Sequence, residues 1–171
     1  MQDIRVRRAD LADAEVLAEI GRETFVDTFG HLYPAEDLGA FLEANYTPQA
    51  FAARLSDPDE ASWLAETADG AAAGYCQAGR CGLPHPEVTP ACGELKRLYV
   101  RQGLQNRGVG QALFGAALQW LEAPGRRLWI GVWSENHGAQ RFYGRHGFAK
   151  VGEYLFPVGR TRDREFILSR P

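Results

Sequence analysis

The stretch RQGLQNRGVG, Arg101–Gly110, decides the fold of this chain. It joins an alternating segment over Cys92–Val100, typical of a β-strand, to a run with apolar residues at helical spacing that starts at Val109. A glycine-rich strand–loop–helix passage aims free backbone N–H groups and the positive end of the helix at an anion, and its glycines let phosphate oxygens approach the main chain. The passage therefore predicts a phosphate-binding loop.

The loop matches neither of two common nucleotide motifs. No Gly-Lys-Ser/Thr follows it, as a P-loop would require, and its spacing differs from the dinucleotide pattern G-x-G-x-x-G. A glycine-rich turn without any ligand is the alternative that the residues alone leave open.

A second motif lies downstream, where Asn136–Phe148 reads NHGAQRFYGRHGF. Together with QNRGVG (Gln105–Gly110) it resembles the two signatures of the GNAT acetyltransferase superfamily, Q/R-x-x-G-x-G/A and N-x-x-A-x-x-F-Y-x-x-x-G-F. Two signatures in the right order are far more specific than either alone. The resemblance covers about Glu94–Phe148 directly and implies an enzyme that takes acetyl from acetyl-coenzyme A.

The same resemblance implies which residues bind the cofactor. The backbone of the central strand would pair with the pantetheine arm, and the loop would bind the pyrophosphate. Asn136 would contact the pantetheine arm or the leaving sulfur, and Tyr143 would be the general acid beside it. The strand positions are Leu98, Tyr99 and Val100, and the loop positions are Gln105, Asn106, Arg107, Gly108, Val109 and Gly110.

Residue chemistry agrees with two catalytic candidates. Asn136 and Tyr143 are seven residues apart, so on a helix they lie nearly on one face. A phenol with a pKa of about 10 is suited to protonating a thiolate, although Tyr143 could also serve only to pack the sheet. An alkylamine is protonated at neutral pH, so an acceptor for its proton is needed, and Glu94 at the start of the central strand is the candidate base.

The remaining sequence predicts alternating short strands and helices. Strands are expected at residues 4–8, Ser62–Glu66, Ala71–Ala78, Cys92–Val100, Arg127–Trp133, Phe148–Tyr154 and Glu165–Ser169. The Asp69-Gly70 turn is expected to join the second and third of these as an antiparallel hairpin. Helices are expected from Asp10 to about Phe25, after Pro34, after Pro48, from Val109 to Pro124, and over Asn136–His146. The segment Gly79–Pro90, with three prolines, is expected to be a loop.

These elements predict an α/β (α+β) fold of GNAT type in a single domain spanning residues 1–171. Its central sheet is expected to be mixed, mostly antiparallel and seven-stranded, with helices on both faces. The strands over Glu94–Val100 and Arg127–Trp133 are expected to splay apart and admit the pantetheine.

Charge divides unevenly along the chain. Residues 1–70 hold 15 acids and 5 bases, whereas residues 71–171 hold 7 acids and 14 bases. Residues 9–53, which build much of the acceptor side in this superfamily, hold nine acids, and such a wall would attract a cationic amine. The acids are Asp10, Asp13, Glu15, Glu19, Glu23, Asp27, Glu36, Asp37 and Glu43.

A finer resemblance bears on the acceptor. Thr24–Leu32 and Phe41–Tyr46, with the segments GVWSENH and VGEYLF, are similar to the bacterial PaiA-type spermidine/spermine acetyltransferases. A small cationic amine, with a polyamine as the first choice, is therefore expected. Two alternatives remain open: acetylation of a protein N-terminus or lysine, and a non-catalytic acetyl-coenzyme A-binding regulatory module.

Composition excludes several other classes. The N-terminus lacks the apolar core of a signal peptide and no stretch reaches about 20 apolar residues, so a cytoplasmic protein without membrane contact is expected. Cys81 and His85 do not make a metal site. The basic cluster Lys96, Arg97, Arg101 and Arg107 is attributed to anionic coenzyme A rather than to nucleic acid. A homodimer is plausible, because two-fold assemblies are the commonest.

Overall fold

A seven-stranded sheet in the order β1-β2-β3-β4-β5-β7-β6 runs through the computed structural model, which describes residues 3–171. The strands are β1 (Ile4–Arg8), β2 (Ala61–Thr67), β3 (Ala72–Arg80), β4 (Gly93–Val100), β5 (Leu128–Trp133), β6 (Ala149–Val158) and β7 (Thr161–Arg170). Every neighbouring pair is antiparallel except β4 with β5. The expected mixed, mostly antiparallel sheet is confirmed.

Five α-helices cover the two faces of this sheet. They are α1 (Ala14–Phe29), α2 (Ala35–Asn45), α3 (Pro48–Ser56), α4 (Val109–Leu121) and α5 (His137–Arg145), with 3₁₀ helices at Leu11–Asp13 and Gly30–Leu32. On one face α4 buries Val109, Leu113, Ala117 and Leu121, which recur at helical spacing. On the other face α1, α2 and α3 bury an aromatic core against the sheet.

The helix start at Asp10 and the turn at Asp69-Gly70 lie where the sequence predicts them. Asp10 forms a capping box with Asp13 and starts a 3₁₀ turn that leads into α1, so α1 itself begins four residues after Asp10. The Asp69-Gly70 turn joins β2 to β3, and Gly70 takes a left-handed φ of 86° there. The predicted helix and hairpin are both confirmed.

Several element boundaries differ from expectation, and α1 continues to Phe29 instead of ending near Phe25. β3 continues through Arg80, so the proline-rich loop begins at Cys81 rather than at Gly79. β6 extends to Val158 and β7 starts at Thr161, because the two strands keep pairing up to a tight turn at Gly159. The longer β6–β7 hairpin carries Phe156 and Asp163 toward α2 and the second 3₁₀ helix.

The split in the sheet is the feature that positions the site. β4 and β5 pair only over Gly93–Leu95 and Leu128–Ile130, and beyond these residues the two strands separate. A parallel pair that parts toward its carboxyl ends leaves unpaired backbone groups facing the gap. The predicted splay between these strands is therefore confirmed.

The start of α3 offers a test of local stability. Thr47 precedes Pro48 and its hydroxyl accepts a hydrogen bond from the Ala50 N–H at 3.1 Å. We expect Thr47→Ala to lower the free energy of unfolding by about 1 kcal/mol, measured by urea denaturation. Ser56→Ala is the matched control, since the Ser56 hydroxyl only bonds back to Ala52 at the exposed end of the same helix. Equal losses in the two variants would contradict the capping role.

Within residues 3–171, no helix combines the length and apolar character needed to cross a bilayer.

Candidate active site

Two cavities meet at the split between β4 and β5. One, of about 570 Å³, lies beside the glycine-rich loop, and the other, of about 540 Å³, lies on the face covered by α1 and α2. We term them the cofactor cavity and the acceptor cavity. Six residues line both cavities and mark their junction, and these are Leu98, Tyr99, Trp133, Asn136, Ala139 and Tyr143.

The glycine-rich loop leaves backbone donors free at the cofactor cavity. Gly103, Asn106 and Gly108 all have positive φ values, of 84°, 63° and 83°. Gly108 is the N-cap of α4 and provides no side-chain cap, so the first N–H groups of the helix remain available. Free amides at a helix N-terminus fit a diphosphate, and acetyl-coenzyme A supplies one together with its thioester.

Most of the expected cofactor residues line this cavity. They are Leu98, Tyr99, Val100, Gln105, Asn106, Gly108, Gly110, Asn136 and Tyr143. Two loop residues do not line it: Arg107 is exposed to solvent, and Val109 is only 1 % exposed and packs in the core under α4. Any contribution of Val109 to ligand binding comes from its main chain.

Asn136 and Tyr143 both lie at the junction of the cavities. Asn136 begins α5, where its side-chain oxygen accepts a hydrogen bond from the Ala139 N–H at 3.1 Å. Its amide nitrogen remains free to donate. Tyr143 is 7 % exposed and packs against Phe114 and Phe148. Burial raises the pKa of Tyr143, so its hydroxyl keeps its proton near neutral pH.

The wall of the acceptor cavity is aromatic, not acidic. Segment 9–53 contributes Phe25, Phe29, Tyr33, Phe41 and Tyr46 to the lining, and none of its nine acids. The expected acidic wall is therefore wrong. α1 and α2 are amphipathic, and their aromatic stripes face the sheet while most of their acids face solvent. Asp37 is the exception, because it accepts a hydrogen bond from the Arg160 N–H at the β6–β7 turn.

Several of those acids are held by arginines outside the cavity. Glu43 pairs with Arg22 at 2.6 Å, and Glu23 pairs with Arg101 at 2.7 Å. Asp13 accepts from Arg7, which holds the pKa of that carboxyl below its usual value. These contacts join α1 to α2, α1 to the residue that follows β4, and the first 3₁₀ helix to the edge strand β1.

Glu94 is a buried carboxylate in the acceptor cavity. It is 9 % exposed, and one of its oxygens accepts a hydrogen bond from the Gly82 N–H at 2.9 Å. Burial raises the pKa of Glu94, while the Gly82 N–H opposes the shift. The other oxygen is available to a ligand. Gly82, Leu83 and Pro84 also line the cavity, so the proline-rich loop forms one of its sides.

The basic cluster does not gather around the cofactor. Lys96 and Arg97 line the acceptor cavity instead, because a β-bulge at Lys96 turns Arg97 to that face. Lys96 lies 3.6 Å from Glu60, and Arg97 donates to Gln77 at 3.0 Å and lies over the Tyr46 ring. The attribution of this cluster to coenzyme A therefore fails for Lys96 and Arg97, and Arg101 is engaged by Glu23.

Glu165 and Tyr154 were not predicted from the sequence as site residues. They line the part of the acceptor cavity formed by β6 and β7, which we term its floor. Both line the acceptor cavity and are direct cross-strand partners on β7 and β6. Gly131 on β5 leaves room for them, since an added Cβ would lie 3.5 Å from the Tyr154 hydroxyl and 3.1 Å from Leu83. The sequence signal that could have identified Glu165 is the alternation along β7. It places Asp163, Glu165 and Ile167 on one face of the strand and Phe166 and Leu168 on the other.

Metal ligands were not expected, and in the part of the chain that the structure describes no three His, Cys, Asp or Glu side chains come together as a metal site. Cys81 and His85 lie in the proline-rich loop, where His85 packs on Trp129.

Comparison with known proteins bears on the whole chain. The family model described as "Acetyltransferase (GNAT) family" matches residues 21–148. An uncharacterised N-acetyltransferase from the pepI 3' region of Lactobacillus delbrueckii subsp. lactis is 31 % identical over 99 % of this chain and 98 % of its own length. An uncharacterised N-acetyltransferase of Mycobacterium tuberculosis (strain ATCC 25618 / H37Rv) is 30 % identical over 94 % and 98 %.

Solved structures share the fold at lower identity. The PaiA N-acetyltransferase from Thermoplasma acidophilum, in complex with coenzyme A, has a TM-score of 0.72 at 20 % identity and covers 98 % of both chains. The ribosomal-protein-S18-alanine N-acetyltransferase from Escherichia coli has a TM-score of 0.70 at 19 % identity over 99 % of this chain and 94 % of its own. The chain therefore belongs to the GNAT family and is an acetyl-coenzyme A-dependent N-acetyltransferase.

Proposed function

We propose that the chain acetylates a primary amine of a small cationic acceptor, with spermidine and spermine as the best candidates. One observation supports this most directly: Tyr143 and Asn136 stand where the cofactor cavity opens into an aromatic cavity that also holds the carboxylates Glu94 and Glu165. Aromatic faces and carboxylates are the groups that bind alkylammonium ions.

The proposed proton transfers follow from the positions of two side chains. Glu94 takes the proton of the acceptor ammonium, directly or through a water, and frees the nitrogen lone pair. That lone pair forms a bond to the carbonyl carbon of the thioester, and the carbon–sulfur bond breaks. The Tyr143 hydroxyl gives its proton to the departing sulfur and is restored by the proton that the new amide nitrogen loses.

The cofactor contacts are part of the proposal. The amides of the loop Gln105–Gly110 bind the pyrophosphate, and the unpaired edge of β4 over Leu98–Val100 binds the pantetheine arm in the manner of an added strand. Asn136, with its oxygen engaged by Ala139, offers its amide hydrogens to the same arm.

The choice of a polyamine has two supports. The segments similar to PaiA-type enzymes contribute Phe25, Phe29, Phe41 and Tyr46 to the acceptor cavity. Lys96 and Arg97 also line this cavity, but Lys96 lies 3.6 Å from Glu60 and Arg97 donates to Gln77, so the carboxylates Glu94 and Glu165 are the groups that attract a cation. A flexible polyamine can contact the aromatic side chains and at the same time place its ammonium groups near the carboxylates.

An acceptor screen tests the proposal. Release of the coenzyme A thiol is measured with spermidine, spermine, a peptide with a free N-terminal alanine, and a peptide whose N-terminus is blocked and which carries one lysine. Turnover of the polyamines supports the proposal, and turnover of a peptide alone favours protein acetylation. Tight binding of acetyl-coenzyme A with no turnover of any amine favours the regulatory module.

Glu94→Gln tests the proposed base. We expect kcat at neutral pH to fall about tenfold, because the amide cannot accept a proton. The deficit should shrink as the pH approaches about 10, where an alkylamine loses its proton unaided. A pH–rate profile measures both effects, and glutamine can still accept the Gly82 hydrogen bond, which preserves the loop.

The control for this variant is Glu87→Gln. Glu87 is exposed and pairs with Arg127 outside the cavity, so the same loss of charge should leave the profile unchanged. A Glu94→Gln profile that coincides with wild type at every pH would remove Glu94 from the mechanism.

The expected cytoplasmic location, the single-domain organisation and the homodimer stay predictions.

A further inference from the structure

Glu165 is a partly buried carboxylate on the floor of the acceptor cavity. On β7 its cross-strand partners are Trp133 on β5 and Tyr154 on β6, and all three residues line the cavity. Because Trp133 lies at the junction of the two cavities, Glu165 is one strand away from the place where the reacting amine must sit.

No cation of residues 3–171 neutralises Glu165. Its strand neighbours Arg162 and Arg164 point to the other face of the hairpin, where Arg164 pairs with Glu153 at 2.9 Å and Arg162 donates to the Gly159 carbonyl at 2.8 Å. Asp163, two residues away on the face of Glu165, accepts a hydrogen bond from the Tyr33 hydroxyl. The Glu165 carboxyl therefore has no cationic partner within residues 3–171.

We propose that Glu165 binds a second ammonium group of the acceptor and thereby selects diamines and polyamines over monoamines. This inference rests on the proposed function. A partly buried carboxylate that faces a cavity is incompletely hydrated, and a ligand cation that pairs with it supplies a charge-assisted interaction that the protein does not.

The distances within the sheet suit a two-point acceptor. Adjacent strands are about 5 Å apart, so Glu165 lies roughly 5–10 Å from the gap between β4 and β5. A short aliphatic chain between two nitrogens can span that distance. One amine then lies at the junction beside Tyr143, and the second lies over Trp133 and Glu165, on the opposite side of the cavity from Arg97.

Titration of Glu165 supports this role. Burial, and secondarily the charge of Asp163, raises its pKa to about 7. The titratable groups near it are Asp163 on its own strand, Tyr154 on β6, Tyr99 on β4 and Tyr33, which directly follows the second 3₁₀ helix, and none of them carries a positive charge. Below this pKa the carboxyl is neutral and attracts an ammonium weakly, so the KM of a diamine should rise as the pH falls.

The test compares Glu165→Gln with wild type on paired acceptors, 1,4-diaminobutane and n-butylamine, together with spermidine. We expect the KM of the diamine and of spermidine to rise about tenfold, and the KM of n-butylamine and every kcat to stay within about twofold. The pH dependence of the diamine KM around neutrality should also flatten. Glu165→Asp, which keeps the charge, should recover part of the diamine affinity.

Glu153→Gln is the matched control. Glu153 is an exposed carboxylate on the opposite face of β6, where it pairs with Arg164 and Lys150. The Glu153→Gln substitution therefore removes the same charge outside the cavity. Circular dichroism and thermal melting verify that each variant folds.

The outcomes separate this inference from the proposed function. Equal KM changes for diamine and monoamine in Glu165→Gln, or no change in either, overturn the inference while acetylation of amines stands. Failure of the wild-type enzyme to acetylate any of the three amines, spermidine included, overturns the proposed function, and the inference falls with it.

Discussion

Tyr143→Phe is expected to lower kcat by at least about a hundredfold, because in the proposed mechanism the Tyr143 hydroxyl gives its proton to the departing sulfur. Affinity for acetyl-coenzyme A should change little, since the ring continues to fill its place against Phe114 and Phe148. Steady-state thiol release gives kcat, and isothermal titration gives the dissociation constant. The two measurements together separate a chemical role from a binding role.

The Tyr75 hydroxyl supplies the control for this variant. It is fully buried and has no hydrogen-bond partner in the described part of the chain, and it lies beneath α3 outside both cavities. Tyr75→Phe removes the same atom where no reaction is proposed, so kcat should be unchanged and stability equal or higher. An unchanged kcat in Tyr143→Phe would leave Tyr143 with a packing role only.

The cofactor side of the site could be predicted because its determinants are local. Gly108 and Asn106 set the left-handed turns of the loop, and the seven-residue spacing of Asn136 and Tyr143 sets their common position on α5. The same is true of the hairpin turn at Gly70 and of Pro48 in the first turn of α3. Each signal lies within a few residues of the structure that it specifies.

The acceptor side could not be predicted in the same way, because it depends on which face of each helix meets the sheet. A count of acids in segment 9–53 gives their charge and not their direction, and Glu43 and Glu23 pair with arginines outside the cavity. The position of the Arg97 side chain in the acceptor cavity depends on a β-bulge at Lys96, which the alternating sequence of β4 does not indicate. Tertiary packing decides both outcomes.

Glu165 shows most clearly what could not be predicted from the sequence. Its role depends on β7 inserting between β5 and β6, which makes a residue near the C-terminal end of the chain a neighbour of Trp133. Strand order in a sheet is a long-range property, and no spacing within the sequence reports it. Alternation identifies the face of β7 that carries Glu165, whereas only the fold shows that this face borders the reaction site.

Gly108→Asp is expected to weaken the binding of acetyl-coenzyme A about a hundredfold. A carboxylate at the N-cap of α4 stands at the loop that we propose binds the diphosphate, and like charges a few ångströms apart repel by a few kcal/mol at intermediate dielectric. Aspartate tolerates the left-handed φ of 83° better than most residues, and no heavy atom lies within 4 Å of the added Cβ. The fold should therefore persist, and isothermal titration measures the loss.

Two matched variants isolate the cause of that loss. Gly108→Asn has nearly the same shape without the charge, so its affinity should lie between wild type and Gly108→Asp. Gly103→Asp places the same charge on a glycine with φ of 84° that lies outside the cofactor cavity, and it should bind the cofactor nearly as well as wild type. If Gly108→Asp retained wild-type affinity, the loop amides could not be the diphosphate site, and the strand edge over Leu98–Val100 would have to supply the binding energy alone.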